Sequence, residues 1–160
     1  MELPEATKIR LKTQHLILSE LIMDLSDDEL NQQPSPGKWA IKQQIVHLVR
    51  YQDVFFERIQ TIMGSFNAVF TPYIADDDEG FIDSLNLPLD KLLSNLIERR
   101  ETISSFFLKL NSGELSRKGR HTQLGYFSIA LWAEFFLLHE AHHIYSVFKM
   151  SNQFTQAKNA

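Results

Sequence analysis

Residues 139–143 read His-Glu-Ala-His-His, three imidazoles and a carboxylate in five positions. A neutral imidazole offers a lone pair to a divalent cation, so such a cluster can ligate metal. In an α-helix, residues four apart differ by about 40° in angle and about 6 Å along the axis. His139 and His143 would then point the same way and reach one ion. His142, three residues from His139, competes for the role of second ligand. The same stretch fits H-E-x-x-H, in which the Glu of a zinc protease acts as general base. That reading needs a third ligand downstream, and the 17 residues after His143 contain no His, Asp or Glu. Two imidazoles leave a cation under-coordinated, because a catalytic site has three protein ligands and an open position. His47, in GKWAIKQQIVHLV, is the upstream candidate, with Gln43, Tyr51 and Val54 as its neighbours by helical spacing. A hydrogen-bonded structural histidine is its bland alternative. His15, in a mixed stretch, and His121, after RKGR, read as ordinary residues.

Four long segments must position these side chains. The first runs from about Pro4 to Leu25, with Pro4 suited to a first turn and Ile9, Leu16, Leu21, Ile22 and Leu25 as its apolar face. Residues 26–39, with Pro34, Pro36 and Gly37, form a loop. The second helix covers about Ala40 to Met63, where Ile41, Ile45, Leu48, Gln52, Phe55, Ile59 and Met63 recur every three or four residues. Residues 64–85 lack helical period. Their acidic run Asp76, Asp77, Asp78, Glu79 lacks the alternate spacing of a calcium loop and reads as solvated. The third helix spans about Pro88 to Leu110 on a stripe through Leu89, Leu92, Leu93, Leu96, Ile97, Ile103, Phe106, Phe107 and Leu110. A polar connection with three glycines, NSGELSRKGRHTQLG, leads to a fourth helix from about Tyr126 to Met150. No alternating strand pattern or repeat is evident. The expectation is an all-α four-helix bundle forming one domain over residues 1–160.

Composition narrows the chemistry. The 160 residues include no Cys, which excludes disulfides, thiolate ligands and a cysteine nucleophile. A net charge of −4 supplies no excess of cations for phosphates, so no nucleic-acid partner is expected. The N-terminus has no apolar leader, and no window approaches an uncharged membrane span. A cytoplasmic location is the default. Twelve Phe residues could exceed the needs of one core, which makes a homodimer plausible. Trp39 reads as a core anchor rather than a substrate platform, and Tyr51 as packing or cavity-facing. Arg99 and Arg100 read as solvated or, less commonly, as carboxylate binders.

Together, PSPGKWAIKQQIVHLVRYQDVFFERI and the His139-x-x-x-His143 pair resemble the DinB/YfiT-like family. Its second helix follows a Gly-x-Trp loop, here Gly37 and Trp39, and carries a His eight residues after the Trp, here His47. The linker with Arg117, Gly119, His121 and Gly125 resembles the family's linker but differs in detail. The resemblance covers nearly the whole chain to about Met150. It implies a four-helix bundle with a long crossover connection, and a divalent metal, zinc or nickel, held by His47, His139 and His143. His142 then drops to a neighbour, and Glu140 is a helix residue beside the ligands rather than a protease base. The family further implies a metal-dependent enzyme acting on a small-molecule substrate. Its members with known activity are mostly S-transferases or isomerases that use a low-molecular-weight thiol, and others are described only as metal-dependent hydrolases. Two non-catalytic alternatives stand beside it: a metal-clamped binding or stress-response module, and a helical interaction protein without metal.

Overall fold

Apolar side chains recurring every three or four residues make helices amphipathic, and the long stretches with that pattern are helical in the computed structural model, which describes residues 2–158. The first rod is α1 (Glu5–Thr13), a 3₁₀ turn (Gln14–Leu16) and α2 (Ile17–Ile22). A short α3 (Asp27–Asn31) follows, closed by a capping box in which Ser26 and Glu29 satisfy each other's backbone N–H groups. Next come α4 (Ile41–Gly64), β1 (Val69–Phe70) and α5 (Glu79–Ser84). The chain continues through α6 (Leu89–Phe107), α7 (Ser112–Leu115), β2 (Lys118–His121), β3 (Gly125–Ser128) and α8 (Ile129–Lys158). Among the described residues no helix is long and apolar enough to cross a membrane.

The bundle expected from the sequence is present, and its connections can be followed from its contacts. The α1–α2 rod packs against α6 and α8, and α4 packs against the same two. Consecutive helices α2 and α4 therefore lie on a diagonal, as do α6 and α8. Side-chain partners fix direction. Arg10 meets Glu134 and Lys158 meets Asp24, so the first rod and α8 run the same way. Gln52 meets Leu96 and Phe56 meets Phe106, so α4 and α6 also run parallel. Parallel neighbours need a return path along the bundle. Residues 65–88 are that path, the long crossover the family resemblance implied.

Four local expectations are corrected. The first helix is interrupted at Gln14–Leu16, and its buried face is Thr7, Leu11, His15, Leu18 and Ile22, while Ile9 and Leu16 are exposed. The loop at 26–39 holds α3 and the crossover holds α5. The glycine-containing connection before α8 forms a β2–β3 antiparallel hairpin, and β2 also pairs in parallel with β1 of the crossover, in the order β1-β2-β3. The inward residues of β2 are Gly119 and His121, so no apolar alternation announces it. A Cβ on Gly119 would stand 2.7 Å from Ile62, and Gly125 turns the hairpin at φ +89°. Finally, α8 starts at Ile129, because residues 126–128 pair with β2, and continues to Lys158, whose ammonium binds the Asp24 carbonyl and the Glu29 carboxylate.

The core has two apolar halves. One contains Leu11, Phe55, Ile103, Phe107, Trp132 and Phe136, with Phe55 stacked between Phe136 at 4.2 Å and Phe107 at 5.7 Å. The other contains Leu18, Ile22, Ile45, Leu92, Leu96 and Val147. Between them each of the four helical rods contributes polar side chains. Arg100 and Glu140, each 1% exposed, form a two-pronged ion pair. Arg100 Nε also donates to Gln52 Oε1 at 2.8 Å, and Gln14 Nε2 donates to Glu140 Oε2 at 2.8 Å. Arg100 Nη1 reaches His15 Nδ1 at 3.4 Å. Arg100 is thus neither solvated nor free to bind a substrate carboxylate.

Removing one member of a buried pair strands the other charge, at a loss of about 3–5 kcal/mol, whereas an apolar replacement of both can be neutral. Arg100→Met is expected to lower unfolding free energy by about that amount, and adding Glu140→Leu to recover part of it, as read by urea denaturation. His15 is held neutral, its pKa lowered to about 4 by burial and then by the Arg100 guanidinium. The unfolded chain, with His near 6.5, binds one more proton between those values. Stability from this group is therefore full above pH 6.5 and falls as pH drops to 4. His15→Gln should reduce the slope of unfolding free energy in that window by about 1.4 kcal/mol per pH unit.

Candidate metal centre

Helix geometry places His139 and His143 one turn apart on α8, on the side that packs against α4, where His47 lies. His47 Nε2 is 3.1 Å from His139 Nε2, and His143 Nε2 is 3.2 Å from it. The donor atoms of the three histidines all lie within 4.8 Å of one another. Bonds of about 2.0–2.1 Å from nitrogen to zinc, opened by roughly 100°, put ligand nitrogens about 3.2 Å apart. The two spacings to His139 meet that requirement.

The proton positions support the same fit. His143 Nδ1 lies 2.6 Å from Gln44 Oε1, an amide oxygen that only accepts, so its proton sits on Nδ1 and Nε2 presents a lone pair. His139 Nε2 can carry one proton at most, yet faces two ring nitrogens. A cation at the centre would be held by these three rings, turning the crowding of lone pairs into coordination. Burial lowers all three pKa values, to about 4 for His47, about 3 for His143 and about 2 for His139, the last two depressed further by neighbouring histidines. All three rings are therefore neutral at pH 7, the form that binds metal. Among the described residues His47 Nδ1 and His139 Nδ1 are buried without a hydrogen-bond partner, and Gln44 alone orients one of the three rings in this way.

Aromatic rings surround the cluster. Trp39 lies 5.1 Å from His47 and stacks on Phe81 at 5.4 Å. Tyr51 lies 4.0 Å from His139, and Tyr73, from the crossover, 5.5 Å from His47. Burial raises the Tyr51 hydroxyl to about 12 and, with the Asp78 carboxylate, raises Tyr73 also, so both stay protonated. Tyr73 Oη donates to Asp78 Oδ2 at 2.7 Å, and Asp78 also takes Arg50 and caps α5. Within the acidic run Asp78 thus serves helix capping and an ion pair, while Asp76, Asp77 and Glu79 are exposed.

The other histidines and charges separate clearly. His142 is exposed, its ring 5.3 Å from that of His143 but outside the cluster. Glu140 is turned into the core against Arg100, so the protease reading of H-E-x-x-H fails on geometry. His121 is buried on β2 beside Trp132, and Arg99 pairs with Asp53. Gln43 caps α4 through the Ala40 N–H and does not reach the histidines. Sequence reasoning missed Gln44, although it lies one turn before His47, and Tyr73, which sits in an aperiodic loop without any such signal.

Comparison with known proteins gives the family and the fold. The sequence model of the DinB superfamily matches residues 10–147. Two Oceanobacillus iheyensis proteins, each named "putative metal-dependent hydrolase", are similar to the chain. One is 24% identical over 128 residues, 80% of this chain and 74% of the relative. The other is 24% identical over 127 residues, 79% of this chain and 73% of the relative. Among solved structures, YfiT from Bacillus subtilis, described as "a probable metal-dependent hydrolase with an unusual four-helix bundle topology", superposes with TM-score 0.82 at 16% identity, over 94% of this chain and 87% of that one. A DinB-like protein of the same organism, YjoA, gives 0.64 at 13% identity, over 94% and 93%. At these identities the structural likeness shows the fold.

An outer hydrogen bond of this kind is worth about 10–100-fold in metal affinity. Gln44→Leu is therefore expected to weaken zinc binding at least about 10-fold in a competition titration against a chromophoric chelator, with helical content unchanged.

Proposed function

The chain belongs to the DinB superfamily, and on that premise we propose that it is a metal-dependent enzyme of the hydrolase type acting on a small molecule. His47, His139 and His143 hold a divalent cation, zinc or nickel. One observation carries the reading: three neutral imidazoles from two helices converge on a point, with their donor atoms within 4.8 Å. Among the described residues no Asp, Glu or Cys joins them. A three-ligand set leaves coordination positions for an external molecule, whereas a structural site is closed by a fourth ligand. This weighs against a metal that merely clamps α4 to α8.

A bound divalent cation supplies Lewis-acid activation of a nucleophile or carbonyl at its open positions. The protein's own contributions are distinct. Gln44 orients His143, burial keeps all three rings neutral, and Trp39, Tyr51 and Tyr73 restrict water around the centre. Tyr51, held protonated, is a hydrogen-bond donor next to His139. The names borne by the relatives favour water as nucleophile. One feature favours an external low-molecular-weight thiol as the second reading: Glu140, the carboxylate next to the ligands in sequence, is committed to Arg100 and cannot serve as base. A thiol ionises far more readily than water and needs that base less. The proposal includes a cytoplasmic location and a side-by-side homodimer, the latter supported by Leu131, Leu138, Tyr145 and Phe148 exposed along α8.

Elemental analysis of untagged protein dialysed against metal-free buffer tests the centre. About one zinc or nickel per chain is expected in the wild type and background levels in His47→Ala, with the circular-dichroism helix signal retained. Equal metal in both would remove His47 from the site, and none in either after reloading would end the enzyme reading.

A further inference from the structure

Beside the three histidines runs a groove of about 470 Å³, lined in part by Trp39, Gln44, His142, Ser146, Lys38 and Lys149. Three of these residues adjoin His143. Gln44 bonds its Nδ1, the Trp39 ring lies 6.2 Å away, and the His142 ring 5.3 Å away. The groove therefore starts at the edge of the candidate centre and extends along α8.

Its charge is one-sided. Lys38 and Lys149 are its formal charges, and no Asp or Glu lines it. Neither lysine forms an ion pair among the described residues. Lys149 Nζ instead rests 4.8 Å above the Tyr145 ring, which holds it without neutralising it. The chain as a whole is acidic, at −4. A local reversal of sign in a concave site concentrates ligands of opposite charge. Trp39 gives the groove an apolar wall, and Gln44 and Ser146 give neutral hydrogen-bonding groups, a common composition for small-molecule pockets.

We infer that this groove is a subsite for an anionic group, carboxylate or phosphate, on the small molecule whose reacting end lies at the three histidines. The assignment deepens the proposed function and rests on it for the position of the reacting end. Lys38 and Lys149 are specificity residues, set apart from the ligand cluster, and each can be neutralised without opening the core.

The test uses the zinc-loaded full chain, freed of excess metal, with succinate and inorganic phosphate as calorimetric probes and succinamide as the uncharged control. Zinc content is measured on every sample, and metal-free protein is titrated in parallel. At least one anion is expected to bind the wild type, and Lys38→Gln/Lys149→Gln to weaken it at least about 10-fold while keeping its zinc. Preference for succinate or for phosphate then identifies the kind of anion. Equal anion affinity in wild type and double variant overturns the subsite, as does equal binding of succinamide. Absence of zinc from the wild type, with lysine-dependent anion binding intact in the metal-free protein, upholds the anion groove and overturns the metal reading.

Discussion

A buried Arg100–Glu140 pair is the constraint around which the bundle is arranged. Burying two charges is tolerable only when each is matched in direction and every remaining donor and acceptor has a partner. Those partners come from all four rods: Gln14 and His15 from the first, Gln52 from α4, Arg100 from α6 and Glu140 from α8. Apolar contacts alone tolerate sliding by a turn, since one leucine resembles the next. A two-pronged ion pair does not. The polar layer thus fixes the axial register of α8 against its neighbours, with one apolar half of the core on either side.

The candidate centre inherits that register. His139 precedes Glu140 by one residue, so when Glu140 turns inward to Arg100, His139 is directed about 100° around the helix toward α4. His143, four residues on from His139, follows to the same side. On α4, Gln52 is tied to the Leu96 carbonyl and to Arg100, and His47 lies five residues earlier. The 3.1 and 3.2 Å spacings among the imidazoles therefore express an alignment set in the core. In this chain the Glu of H-E-x-x-H aligns the ligands from within, a task different from proton transfer.

The parts legible in the sequence were those with a period. Helix α4 runs within one residue of its expected bounds, and of the stripe read along α6 Leu92, Leu96, Ile103 and Phe107 are buried, while Leu89, Leu93, Ile97, Phe106 and Leu110 are half-buried at its edges. The three candidate ligands were legible because helical spacing and the family resemblance both bear on them, and their donor atoms lie within 4.8 Å of one another. Elsewhere periodicity misled or fell silent. Ile9 and Leu16 resemble core residues but are exposed, because the inward face of the first rod carries Thr7 and His15 to meet Glu134 and Arg100. Residue type says nothing of such a preference when the partner is more than 80 positions away. The hairpin before α8 was unreadable for a related reason: its inward positions are a glycine chosen for close approach and a buried histidine. Arg100 looked solvated because its partner sits 40 residues along the chain on another helix.

Desolvation links these features to chemistry. The crossover lays Tyr73 and Phe81 near His47 and Trp39, and with Tyr51 these rings thin the water around the histidines. Low local polarity penalises imidazolium, which is why the three rings stay neutral far below the ordinary histidine range. The same environment strengthens the field of any cation they hold, because few water dipoles oppose it. Exclusion of water is incomplete, since His139 and His143 are half-buried, and the groove lined by Trp39, Gln44 and His142 adjoins His143. With Tyr73 and Phe81 of the crossover beside the cluster and the inferred anion groove beside His143, a molecule bound in that groove would meet Lys38 and Lys149, which form no ion pair among the described residues. Selection by charge would therefore act before the reacting atoms meet.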